Sequence, residues 1–148
     1  MDGYHKRPDV NKEAFKDRWF YTGDLAYKDK DDFYYLVDRK KEIIIRGGEN
    51  ISPSEVDAVI YRLPEVHDSA TIGVPDEIYG EEVVSYIVLK HDKKSEGITE
   101  ENIINHCKEH LAKFKCPKKI FFVDDIPKGP SGKLLRKELV KMFIEKNK

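Results

Sequence analysis

The sequence predicts an α+β fold: a small mixed or antiparallel sheet flanked by about three helices and preceded by a β-hairpin. Three observations carry this. Runs such as FYYLV at 33–37 and VVSYIVL at 83–89 are rich in β-branched and aromatic residues. Ser52 and Thr99 each stand just before apolar residues at helical spacing. The helical stripes all lie beyond residue 40, so the first forty residues form strands with little to bury. A two-stranded hairpin is marginal without something to pack on. A seam is therefore expected near Asp38, with 1–38 the trailing segment of a larger N-terminal domain and 39–148 a compact unit.

The elements follow in order. Residues 1–18 read as polar and irregular. An extended segment opens at Trp19, is interrupted at Gly23-Asp24 and resumes over 25–27, with 33–37 as its hairpin partner across a charged turn. Residues 42–46 read as a short strand closed by Gly47-Gly48, a pair that suits unusual backbone angles or a close approach. Ser52 caps a helix with Pro53 at its first position and Glu55 placed for a capping box; Val56, Val59, Ile60 and Leu63 form its stripe, and Pro64 stops it. Strands are expected over 66–74, 82–90 and 119–123, with a loop at 75–80 and a solvated turn at 93–97. Thr99 opens a second helix whose face carries Ile103, Cys107, Leu111 and Phe114. A third spans 134–144 on Leu135, Leu139, Met142 and Phe143.

Composition removes several function classes. The 27 Lys+Arg and 28 Asp+Glu leave a net charge of -1, which offers no global field for nucleic acid. No apolar run approaches the roughly 20 residues of a membrane-spanning helix. The first twenty residues contain no signal-peptide apolar region, and two cysteines are too few to staple the chain, so a cytoplasmic location is expected.

Several side chains are candidates for chemistry. Asp24, after a glycine between two extended segments, suits either a turn carboxylate or an acceptor for vicinal ribose hydroxyls. Arg39, within the run Asp38-Arg39-Lys40-Lys41, suits either a solvated linker or a forked donor to hydroxyl and phosphate oxygens. Lys133, in Ser131-Gly132-Lys133, follows a strand and precedes a helix, but the spacing is not that of a P-loop: two residues separate Gly129 from Gly132, and Leu134 stands where a hydroxyl is needed. No parallel strand–helix–strand setting is evident around it. What remains is a loop lysine that is either solvated or a point charge able to reach another domain's site. His106, Cys107, His110 and Cys116 do not match the HExxH zinc pattern, because Glu109 falls two places too late for it, and Cys107 fits the core; no metal ligand is assigned. Lysines 108, 113, 115, 118 and 119 make a basic stretch that suits a solvated rim or a phosphate-bearing ligand.

Taken together, WFYTGD at 19–24, YLVDRKKEIIIRGGENISPSEV at 35–56 and PKGPSGK at 127–133 followed by Arg136 closely resemble the C-terminal part of the acyl-adenylate-forming enzymes. That family includes acyl-CoA synthetases, 4-coumarate-CoA ligases, firefly luciferase and peptide-synthetase adenylation domains. The resemblance spans nearly the whole chain and is most like an acyl-CoA synthetase. It implies formation of an acyl-AMP from a carboxylic acid and ATP with release of pyrophosphate, then transfer to the CoA thiol. It implies that Asp24 and Arg39 hold the ribose of ATP or AMP and that Lys41 is the hinge. Lys133 would approach the carboxylate and α-phosphate, and Gly47-Gly48 would line the thioester-forming pose. Mg2+ is expected for the full reaction, with no ligand in this chain.

Two departures stand out: Lys41 occupies a hinge position that is often Asp, and Gly129-Pro130 precedes Ser131-Gly132-Lys133 where a Thr is usual. The family's phosphate loop, acyl pocket and adenine contact belong to a large N-terminal domain, so the chain is expected to be inactive alone and to work with that domain. An adenylation fragment serving a carrier protein and a stand-alone docking or nucleotide-binding module are the alternatives.

Overall fold

A computed structural model describes residues 1–91 and 97–146, so the turn expected at 93–97 lies, apart from Gly97, outside the described residues. The chain divides into two compact units, Met1–Lys41 and Glu42–Lys148. The boundary falls inside a 3-10 turn at Lys40–Glu42.

The first unit has more local order than its sequence suggests. Helix α1 (Pro8–Ala14) occupies part of the segment expected to be irregular. Pro8 sets the backbone of its first turn, and the Asn11 side chain clamps Tyr4 by accepting from its N–H at 2.6 Å and donating to its carbonyl at 3.0 Å. Because α1 buries no residue, it has no apolar stripe to announce it. Strands β1 (Phe15–Lys16) and β2 (Trp19–Phe20) then pair through a two-residue loop, with Asp17 and Arg18 at φ 51° and 69°. Trp19 thus pairs backwards with Lys16, and the partner of the second strand is narrower than expected. Strand β3 (Asp24–Lys28) pairs antiparallel with β4 (Tyr34–Arg39), with a register irregularity between Leu25 and Ala26. Among the described residues of this unit none is buried; Trp19, Tyr34 and Leu36 are about three-quarters exposed, at 75%, 73% and 77%.

The second unit is a five-stranded sheet covered on both faces. Strands β5 (Ile44–Arg46) and β6 (Glu49–Ile51) form a hairpin, helix α2 (Pro53–Ile60) follows, and β7 (Val66–Asp76) pairs with β8 (Gly80–Leu89) in one long antiparallel ladder. Helix α3 (Glu100–His110) crosses over to β9 (Lys119–Phe122), which lies parallel to β8, and helix α4 (Arg136–Lys146) ends the unit. The sheet order is β6-β5-β8-β7, and β9 shares an edge of β8 with β5. A parallel crossover therefore exists where none was evident in the sequence. The run Val83–Val88 explains it: Val83 and Ile87 enter one apolar cluster with Val56, Ile60, Ile103 and Cys107, while Val84, Tyr86 and Val88 enter a second with Ile126 and Leu139. A strand buried on both faces needs helices on both, and each fully buried Val or Ile contributes about 1.5–3 kcal/mol.

The expected caps form. The Ser52 hydroxyl accepts the Glu55 N–H at 3.3 Å, and Thr99 and Asn102 make a reciprocal capping box. Glu55 directs its carboxylate to Lys115 Nζ at 2.7 Å. The second helix is shorter than its apolar spacing suggests: Leu111 is extended and Phe114 sits in a 3-10 turn, yet both pack on the first cluster. The third begins at Arg136 rather than at 134, leaving Leu135 exposed. Strand β7 continues through Gly73 as far as Asp76, so the expected loop shortens to a turn in which Asp76 accepts the N–H groups of Ile78 and Tyr79. Among the described residues no helix is long and apolar enough to cross a membrane.

Strand β5 meets β8 at one register pair, Arg46 opposite Gly80. That junction is reinforced by a forked ion pair from Arg46 to Glu82, 2.5 and 3.0 Å, with the Arg46 guanidinium 4.1 Å from the Tyr79 ring centre. Burial pushes the Glu82 carboxyl up, but the bonds from Arg46 and the Val83 N–H outweigh it and hold the group below its ordinary value. A depressed carboxyl contributes stability above its unfolded pKa and loses it as pH falls through the folded one. Glu82→Gln should therefore cost about 1–3 kcal/mol near neutrality. The gap to the unmodified chain should narrow steadily under acid conditions, as urea unfolding at a series of pH values will show.

Candidate functional site

Asp24 and Arg39 face each other at the open end of the β3–β4 hairpin, and Arg39 Nε donates to Asp24 Oδ1 at 3.0 Å. The turn before Asp24 is fixed on both sides. Thr22 Oγ1 accepts the Asp24 N–H at 3.1 Å, and the carbonyl of Gly23, itself at φ 78°, accepts the Lys40 N–H at 2.8 Å. Thr22, Gly23, Arg39, Lys40 and Lys41 line an open cleft of about 430 Å3. Two candidate ribose contacts and the candidate hinge are thus gathered at one end of one hairpin. Both members of the pair keep solvent contact, with side chains 29% and 47% exposed, so each has surface to offer a ligand.

Gly47 and Gly48 make the turn between β5 and β6 at φ 58° and 88°, a region that favours glycine. The Gly47 N–H donates to the Tyr79 carbonyl at 2.9 Å, and a Cβ there would lie 3.3 Å from the Tyr79 ring. Nothing lies within 4 Å of a Cβ built at Gly48. The turn is therefore braced at Gly47 and bare at Gly48.

Lys133 is exposed on a loop held at its base. Gly129 N–H donates to the Lys133 carbonyl at 2.8 Å, Gly132 N–H to the Gly129 carbonyl at 2.9 Å, and Leu135 N–H to the Pro127 carbonyl at 2.9 Å. Three residues on, Arg136 fixes the loop to the body of the unit. Its Nε donates to the Thr71 carbonyl at 3.1 Å, Nη1 to Glu42 at 3.0 Å and Nη2 to Asp57 at 2.9 Å. Asp57 also accepts from Ser69 Oγ, Thr71 N and Thr71 Oγ1 at 2.7–2.9 Å, and Thr71 Oγ1, its own hydrogen given to Asp57, accepts from Ser85 Oγ at 2.7 Å. Burial raises the Asp57 carboxyl against the pull of these donors and of Arg136.

Arg136 was legible only as part of a motif, while Asp57, Glu42 and Thr71 were missed. One signal was available: Asp57 lies between Val56 and Val59 on the buried face of α2, where an unpaired carboxylate would be costly.

The remaining candidates are placed as follows. Cys107 lies in the first cluster, with its thiol pushed up to about 12 by burial, and Cys116 is half-buried. His106 and His110 share a face of α3 with Glu109. The basic stretch is largely occupied within its own unit: Lys115 pairs with Glu55, Lys118 lies 3.6 Å from Asp76 and 3.7 Å from Glu82, and Lys108 bonds Asn105.

Residues 55–133 match the family described as AMP-binding enzyme C-terminal domain, and the chain belongs to it. It is 46% identical over 144 residues to an oxalate–CoA ligase of Arabidopsis thaliana, covering 97% of this chain and 27% of that protein. It is 43% identical over 141 residues to a sulfoacetate–CoA ligase of Cupriavidus necator, covering 95% and 27%. Among solved structures, ATP-bound MatB from Rhodopseudomonas palustris superposes with a TM-score of 0.89 at 35% identity, covering 99% of this chain and 29% of that one. The chain therefore spans under a third of the length of these relatives.

The Arg136 network carries a direct test. Arg136→Met leaves Asp57 and Glu42 without their cation and should cost about 3–5 kcal/mol, the range for breaking a buried pair from one side. Pairing it with Asp57→Asn in a double-mutant cycle on urea unfolding should recover part of that loss.

Proposed function

We propose that the chain is the mobile C-terminal part of an ATP-dependent acyl-CoA synthetase, preceded by the trailing segment of that enzyme's large N-terminal domain. The reaction joins a carboxylic acid to ATP, giving acyl-AMP and pyrophosphate, and the CoA thiol then displaces AMP to give acyl-CoA. The observation that carries this is the Lys133 loop: an exposed ammonium on a braced turn, rooted by Arg136 three residues away.

Attack of a carboxylate on a phosphoryl group brings two anions together. A cation delivered at that moment stabilises the developing charge without holding the ground state equally well. Lys133 supplies it in the adenylating pose. Asp24 and Arg39 hold the ribose hydroxyls, an assignment supported by their pairing beside a cleft that Arg39 helps to line. Lys41 is the hinge, supported by the unit boundary that follows it. Rotation there exchanges the Lys133 loop for the Gly47-Gly48 turn, whose bare outer edge suits a narrow pantetheine passage. Mg2+ travels with ATP, and no residue of this chain is assigned to it.

The exposed Trp19, Tyr34 and Leu36 support residues 1–38 as a segment that packs on the N-terminal domain. The CoA-ligase names of the relatives favour CoA over a carrier protein as acceptor. A cytoplasmic location fits a reaction among these soluble substrates.

Two measurements test the reading. In the complete enzyme, Lys133→Ala should slow pyrophosphate release on acyl-AMP formation by about 100-fold or more. Thioester formation from supplied acyl-AMP should stay within about threefold of the parent enzyme, and equal loss in both half-reactions removes the assigned role. The 148-residue chain alone should release no pyrophosphate from ATP and any carboxylic acid, and measurable turnover would overturn its dependence on the larger domain.

A further inference from the structure

We propose that the C-terminal turn of α3 binds a borderline transition-metal dication of the Zn2+ type through His106, Glu109 and His110. Spacings of i, i+3 and i+4 put the three side chains on one helix face, and one ligand atom from each lies within 4.8 Å of the other two. The imidazole centres are 4.5 Å apart.

The hydrogen bonds of the two rings decide what each can offer. His106 Nε2 lies 3.1 Å from the Val59 carbonyl of α2, and His110 Nδ1 lies 2.9 Å from the His106 carbonyl. A carbonyl oxygen only accepts, so each of those nitrogens carries a hydrogen. In the neutral rings the lone pairs then sit on His106 Nδ1 and His110 Nε2. A metal-bound histidine almost always donates its second ring N–H to an outer partner such as a backbone carbonyl, which fixes the tautomer and makes the ligand more basic. Both histidines here have that outer partner in place.

Ligand atoms around a tetrahedral zinc are about 3.4 Å apart, so small rotations of the exposed Glu109 and His110 side chains close the set. Two nitrogens and one carboxylate oxygen fill three positions and leave the fourth to water. Cys107, between the two histidines in sequence, is fully buried in the core cluster, so the donor set does not include it. Mg2+ requires oxygen ligands and is excluded by the two imidazoles. A bound ion ties the last turn of α3 together on the residue that already reaches α2, so occupancy stabilises the fold.

The test is calorimetric titration of the untagged 148-residue chain with ZnCl2, NiCl2 and MgCl2, together with thermal unfolding. One equivalent of Zn2+ should bind with a Kd on the order of 10 μM or tighter, Mg2+ should give no heat, and saturating Zn2+ should raise the melting temperature by several degrees. His110→Ala and Glu109→Gln alter exposed side chains and should retain the native circular dichroism. Each should weaken Zn2+ binding about tenfold or more, whereas His67→Ala, at an exposed histidine of β7, should leave it unchanged. No Zn2+ binding up to about 100 μM, or parental affinity in the His110→Ala chain, overturns the site.

Discussion

Strand β8 presents apolar side chains to both faces of its sheet, and the architecture of the second unit follows from burying them. Val83 and Ile87 draw α2 and α3 to one face, while Val84, Tyr86 and Val88 draw α4 and the segment around Ile126 to the other. Because β8 has only two edges, β7 takes one for its whole length, and β5 and β9 divide the other. The Gly47-Gly48 turn and the chain leading to the Lys133 loop are thereby rooted on one central strand. The tight packing has a cost: Tyr86 stacks on Phe121 with its hydroxyl buried and unpartnered among the described residues.

Polar order inside this unit centres on Arg136. One guanidinium spans a β7 carbonyl, the buried Asp57 of α2 and Glu42, the residue after Lys41. A buried ion pair of this kind is a poor source of net stability, since desolvation offsets much of the attraction. Its geometric consequence is stronger. The start of α4, and with it the base of the Lys133 loop, is set in a single orientation by a planar fork that accepts few alternatives. Under the proposed function, rotation at Lys41 carries this whole assembly as one piece.

The parts of the fold legible in sequence were those with a local chemical cause. Ser52-Pro53 and Thr99 announce helices because capping satisfies backbone N–H groups within three residues, and both caps form. Paired glycines at 47–48 announce a turn because few other residues take those angles. Features with a distant cause were not legible. Helix α1 depends on Asn11 reaching Tyr4 and buries nothing, and Trp19 pairs backwards through a loop of Asp17 and Arg18, the second of which does not advertise left-handed backbone. The same divide runs through the candidate site. Asp24, Arg39, Gly47, Gly48 and Lys133 stand in recognisable strings, whereas Asp57, Thr71 and Glu42 matter through partners up to 94 residues away.

The parallel pairing of β9 with β8 also shapes how the chain reaches its native state. The β7–β8 ladder closes across a short turn and needs little chain entropy, so it suits an early event. The pairing of Val84 with Lys119 joins residues 35 apart, and α3 must dock before the ends of that loop can stay together. Until then Val84–Ile87 is an open strand edge that any other extended segment can join. The element that covers the edge is a four-residue strand, KIFF, which opens on Lys119 and is preceded by Lys118. Those charges serve as gatekeepers for the newly made chain, discouraging KIFF from pairing with its own copies before it finds β8.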